Sequence, residues 1–166
     1  MMNGIYLIQN KDQLVEMIPQ NYESEDVLQQ FLEKYPQLLS SVLAKKLLFI
    51  KSQMSLKSAI QDGDKWTIDF LFVDENAVPI LVNVTRNHST ENRRTILGEM
   101  LDYAANAIIN LPIEKIMTNF QANCQTQGQD HHQILSDFIG ADLEQNDFWS
   151  MVENNCNLGK ICLVFL

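Results

Sequence analysis

The chain has 166 residues, 46% hydrophobic and 20% charged, a composition that suits one soluble domain with a real core and excludes a disordered chain. A formal net charge of -9 and a pI near 4.7 disfavour sequence-independent phosphate binding through a broadly basic surface. There is no run of about eighteen apolar residues to span a membrane, and "MMNGIYLIQNKDQ" lacks the basic and long apolar regions of a signal peptide.

"GIYLIQNKDQLVEMI" predicts a small N-terminal hairpin around the turn residues Asn10 to Asp12. "ESEDVLQQFLEKYPQLL" predicts a helix capped by Ser24, with Glu25 and Asp26 at its positive end and Pro36 near its stop. Its apolar stripe is Leu28, Phe31, Leu32 and Tyr35, with Glu25, Gln29 and Lys34 off that stripe. A strand follows in "KKLLFIKSQMSL", then the polar loop "QDGDK". "WTIDFLFV", the turn "DENAVP" and "PILVNVTR" together read as a second hairpin. Ser89 can cap a long helix to about Ile109, with Leu97, Met100, Leu101, Ala104 and Ile108 expected to be buried. Three shorter helices fall in "IEKIMTNFQANCQTQG", "HHQILSDFIG" and "DFWSMVENN", with Gly128 and Gly140 as stops. "GKICLVFL" is a last strand. The chain stops inside it at Leu166, which points to a domain cut short at its C-terminus.

This order predicts a single mixed α/β domain over 1–166, its sheet covered on at least one face. Trp66 and Trp149 read as core aromatics. Cys124, Cys156 and Cys162 match no zinc spacing, and their odd number argues against a disulfide framework, so buried thiols in a reducing cytoplasm are expected. Adjacent on a helix, His131 and His132 should diverge into solvent rather than hold a metal.

Residues two apart on a strand share a face, so Asn83 and Thr85 point the same way beside Leu81. On the neighbouring strand Asp69 shares a face with Thr67 and Leu71, and a suitable register would bring Asp69, Asn83 and Thr85 to one end of the sheet. The next helix can add Glu99 and Tyr103, one turn apart. "TRNHSTENRR" holds Arg86, His88, Arg93 and Arg94, the densest basic cluster in the chain.

"IDFLFVDENAVPILVNVTRNHSTENRRTILGEMLDYAAN" resembles a branch of the PD-(D/E)XK, restriction-endonuclease-like superfamily. In that branch the stretch runs D-x-L-x-V-D, then L-V-E-V-K-R, then R-R-x-x-x-G-Q-x-L-D-Y-A-A-N. "YESEDVLQQFLEKYPQLL" and "FWSMVENNCNLGKICLVF" are similar to the same branch, so the resemblance covers nearly the whole chain. It implies a mixed central sheet flanked by helices. In such a site an aspartate and a glutamate hold magnesium, and a lysine two residues on polarises the attacking water.

Carried over residue by residue, Asp69 matches the aspartate, Asn83 stands for the glutamate and Thr85 for the lysine. Glu99 stands for the glutamine, Tyr103 is retained, and Glu25 matches an assisting acid of some relatives. Arg86, Arg93 and Arg94 follow the family pattern. An amide cannot supply the negative charge of a tight magnesium site, and a hydroxyl cannot replace an ammonium. The expectation is a catalytically impaired or inactive nuclease fold with no cofactor, acting as a nucleic-acid-binding or interaction module through Arg86, Arg93 and Arg94. One alternative is a working magnesium nuclease rearranged around Asp69, Glu99 and Glu25. In such a rearrangement Asp74 or Glu75 of the turn could help, whereas Lys65 keeps the face of Asp69 at too great a distance. The other alternative is a purely structural or dimerisation domain, with homo-oligomers left open.

Overall fold

The computed structural model describes residues 5–9, 13–18, 25–57, 65–84, 95, 97, 98, 101, 105 and 111–166. The N-terminal hairpin pairs β1 (Ile5–Gln9) with β2 (Gln13–Met17) antiparallel, matching Ile5 with Met17 and Leu7 with Val15. Helices α1 (Glu25–Lys34) and α2 (Gln37–Leu43) follow. The main sheet takes β3 (Leu47–Lys57), β4 (Lys65–Asp74), β5 (Pro79–Asn83) and β6 (Cys162–Phe165), in the order β3-β4-β5-β6. Between β5 and β6 come α3 (Ile113–Thr126), α4 (His131–Ile139) and α5 (Gln145–Asn157).

The first three sheet strands are antiparallel, and β6 lies parallel to β5. A parallel neighbour requires a long crossover, which α3 to α5 contribute to here. The central strands are buried on both faces: Phe70 to Val73 and Ile80 to Val82 are at most 1% exposed. That is why "FLFV" and "ILV" read as continuous apolar runs. On one face Phe70, Phe72, Ile80 and Val82 pack with Leu32 of α1 and Leu39 of α2. On the other, Leu71, Val73 and Leu81 pack with Ile116 and Phe120 of α3, Leu135 of α4, and Phe148 and Val152 of α5. The result is a three-layer α/β arrangement, covered on both faces of the sheet. Among the described residues no helix is long and apolar enough to cross a membrane.

Several expectations need correction. The predicted first helix breaks at Tyr35–Pro36, because proline has no N–H to continue the ladder and crowds the preceding turn. Within its stripe Leu32 is buried, but Phe31 is 48% and Tyr35 37% exposed. Thr95, Leu97, Gly98, Leu101 and Ala105 are helical as predicted, yet Leu97 and Leu101 are exposed rather than buried. Helical spacing identifies a stripe without saying what covers it. Cys124 and Cys156 are buried and Cys162 only half so. Trp149 lies in the core against Phe120 and Phe148. The rings of His131 and His132 do not diverge: they pack 4.1 Å apart, and His132 Nδ1 meets Gln145 Oε1 at 2.9 Å, tying α4 to α5. The side chains of Glu25, Lys65 and Trp66, and residues Ser24 and Ser89, lie outside the described set.

The β4–β5 turn is fixed by charge and amide chemistry. Asp74, fully buried, accepts from the backbone N–H groups of Asn76 and Val78, and Lys45 Nζ donates to its other oxygen. Asn155 of α5 donates Nδ2 to the carbonyls of Asn76 and Ala77, at 3.1 and 2.9 Å. Ala77 can therefore hold a left-handed φ of 60° in a packed setting.

Two groups here make stability sensitive to base. The hydrogen bond to Asp74 raises the pKa of Lys45, and burial pushes the Cys156 thiol up to about 11. Both are raised on folding, so their contributions are complete below the unfolded values and are lost as pH rises through the folded ones. For Cys156 the window opens near its ordinary 9.0 and closes near 11. Thermal melts should hold steady from neutral pH to that threshold and then fall, whereas a flat profile through strong base would contradict both assignments.

Candidate functional site

Asp69 sits on β4 where the strand turns over. Phe70 belongs to the cluster under α1 and α2, yet Ile68, two residues earlier, packs in the opposite cluster with its cross-strand partner Met54. Residues two apart on a regular strand would share a face. The regularity fails at Asp69 and at Gln53, which stands between the rungs Ser52–Phe70 and Met54–Ile68 and adopts a left-handed φ of 49°. A further register shift falls between Phe49 and Lys51, where Ile50 is the extra residue of a bulge.

The reversal turns Asp69 into a buried acceptor, 9% exposed. Its Oδ1 receives Gln29 Nε2 from α1 at 2.9 Å and Gln53 Nε2 from β3 at 3.1 Å. Its Oδ2 receives the backbone N–H of Val84, just past β5, at 2.8 Å. Gln53 Nε2 also approaches Gln29 Oε1 at 3.4 Å. A carboxylate only accepts, so both glutamines must present their NH₂ groups to it. Among the described residues, neutral donors from α1, from β3 and from the residue after β5 therefore converge on one carboxylate.

Asn83 ends β5. The β4–β5 register runs to Phe70 against Val82, the last rung of that pair. Asn83 is half-buried, and its carbonyl accepts the N–H of Leu166 at 3.0 Å beyond its partner Phe165 on β6. Asp69 and Asn83 thus adjoin the last paired residues of β4 and β5; Val82 and Val84, on either side of Asn83, lie in the α1–α2 cluster, and Asp69 bonds Gln29 of α1. Thr85, Arg86, Arg93, Arg94, Glu99 and Tyr103 lie outside the described residues, as does the side chain of Glu25.

Two residues of the site escaped sequence reasoning. Gln29 is one helical turn beyond Glu25 on the same side of α1, and the pattern off the apolar stripe does not say which turn meets the sheet. Gln53 carried no signal at all, because a long polar residue inside a strand ordinarily points to water, and nothing local announces a left-handed conformation.

A hard cation needs oxygen ligands, preferably charged. The carboxamides of Gln29 and Gln53, among the described residues, offer N–H rather than oxygen to the Asp69 carboxylate. Among the described residues no three His, Cys, Asp or Glu gather as a metal-binding group. Chemically the site can hold a carboxylate rigidly and knit α1, β3 and the β5 exit together. Comparison with protein-family models, with curated proteins and with solved structures found no match to this chain.

Proposed function

We propose that this chain is a PD-(D/E)XK, restriction-endonuclease-like domain whose hydrolytic site has become a structural hydrogen-bond node, leaving a nucleic-acid-binding or interaction module. The observation that carries the reading is the setting of Asp69. It keeps the place of a family metal ligand while two glutamine amides and a backbone N–H occupy its oxygens. Asn83 across the sheet and Thr85 two residues on supply an amide and a hydroxyl where the family pattern has an acid and an ammonium.

The mixed sheet with helices on both faces, and a candidate site at the outgoing end of β5, are compatible with that fold. On this reading no bond is broken by the chain. Its remaining chemistry is recognition, with Arg86, Arg93 and Arg94 as phosphate contacts in an otherwise acidic protein.

Fluorescence anisotropy with labelled DNA and RNA tests this. Binding should weaken steeply with salt, and Arg93→Ala should weaken it across sequences while reducing the logarithmic salt slope by about 1. Absence of binding to any strand at low salt would remove nucleic acid as the ligand.

A further inference from the structure

The N-terminal hairpin exposes apolar side chains on both faces. Its register puts Ile5, Leu7, Val15 and Met17 on one face, with no charge among them; Ile5 is 73% and Met17 51% exposed. Tyr6, Ile8 and Leu14 are exposed on the other. A two-stranded hairpin alone is marginal in water and needs a further strand or a helix against its apolar face.

The same chain carries a helical surface of the matching kind. Phe31 and Tyr35 at the end of α1, and Leu38 and Val42 four apart on α2, are exposed beside the buried Leu32 and Leu39. Val42 is 73% exposed and Leu38 49%, and the rings of Phe31 and Tyr35 stack at 6.4 Å. A flat aliphatic sheet face and a helical stripe are the two surfaces that layered packing joins.

We infer that the occupant of each surface is a second copy of this chain: the Ile5–Met17 face of one copy lies on the α1–α2 stripe of its partner, and reciprocally. Because each copy supplies both halves, two contacts close a two-fold dimer and leave no open end. Together the hairpin and the stripe offer enough large apolar side chains to reach roughly the 800 Å² per partner of a standard interface. The net charge of -9 opposes association, and physiological salt screens the part of that repulsion that acts beyond about 8 Å. The inference does not depend on the nuclease-fold reading.

Sedimentation velocity on the full chain tests it with two double variants. Leu7→Lys with Met17→Glu charges the hairpin face. Leu38→Glu with Val42→Lys charges the stripe while keeping α2 through an i,i+4 ion pair. The unaltered protein should be a dimer at micromolar concentration and each variant a monomer with unchanged circular dichroism. An equal mixture keeps one of the two contacts intact, the hairpin of one variant on the stripe of the other, and should associate more than either variant alone while falling short of the unaltered protein. A monomeric unaltered protein would overturn the inference. So would a stripe variant that stays dimeric, because its hairpins would then pair with each other. A mixture that associates no more than either variant alone would overturn it as well.

Discussion

Substituting Asn83→Glu together with Thr85→Lys is expected to bring metal-dependent strand cleavage up from background by roughly two to three orders of magnitude. On the proposed nuclease-fold reading, the glutamate would add a second acid at the strand end that carries Asp69. The lysine would restore the charge that polarises water and steadies the phosphate. The glutamines set the ceiling. Gln29 and Gln53 still cover Oδ1 of Asp69, and a metal must displace at least one of them. Gln53→Gly, added to the pair, should therefore raise the rate again: it removes one donor, and glycine accepts the φ of 49° without strain. The readout is cleavage of single- and double-stranded DNA and RNA with magnesium or manganese. If the triple variant is folded and inert on every substrate, more of the site has been lost than the two motif positions.

Asp69→Ala separates a structural node from a working metal site by the sign of its effect on stability. Acids gathered for a metal repel one another in the free protein, so removing one relieves strain and commonly stabilises the fold at the expense of activity. Here the carboxylate is the acceptor for Gln29, Gln53 and Val84; its loss strands the buried Val84 N–H and removes the bonds that hold half-buried Gln29 and exposed Gln53. Lost hydrogen bonds to a charged group and one stranded buried donor together set the cost at roughly 3 kcal/mol. In a domain of this size that is a fall of about 10 °C in melting temperature. A variant that melts at or above the unaltered protein would remove the structural role assigned to Asp69.

Local pattern made much of this legible. "WTIDFLFVDENAVPILV" contains two apolar runs and a turn, and the hairpin follows with its register because one buried face tolerates no slip. The three C-terminal helices have periodic stripes and glycine stops, and Gly128 and Gly140 both take positive φ. What local pattern could not carry was pairing at long range. The parallel seating of β6 against β5, more than seventy residues away, is decided by two hydrophobic clusters that no single segment encodes.

The candidate site divides in the same way. The positions of Asp69 and Asn83 beside the β4–β5 ladder were legible because a short turn joins the strands, but the face of Asp69 was not: the irregularity at Gln53 turns it from the side of Leu71 toward α1. Gln29 and Gln53 reach Asp69 across 40 and 16 residues of chain, through a helix docking and a strand irregularity. The exposed stripes on α1 and the helix containing Leu97 follow the same logic, since spacing fixes which residues align and tertiary packing decides whether anything covers them.

Manganese titration of the unaltered protein, followed by the paramagnetic signal of the free ion, addresses the nature of Asp69 most directly. The account predicts that free manganese stays equal to added manganese through the micromolar range and that Asp69→Ala gives an indistinguishable trace. A saturable site of one ion per chain, abolished by Asp69→Ala, would contradict it.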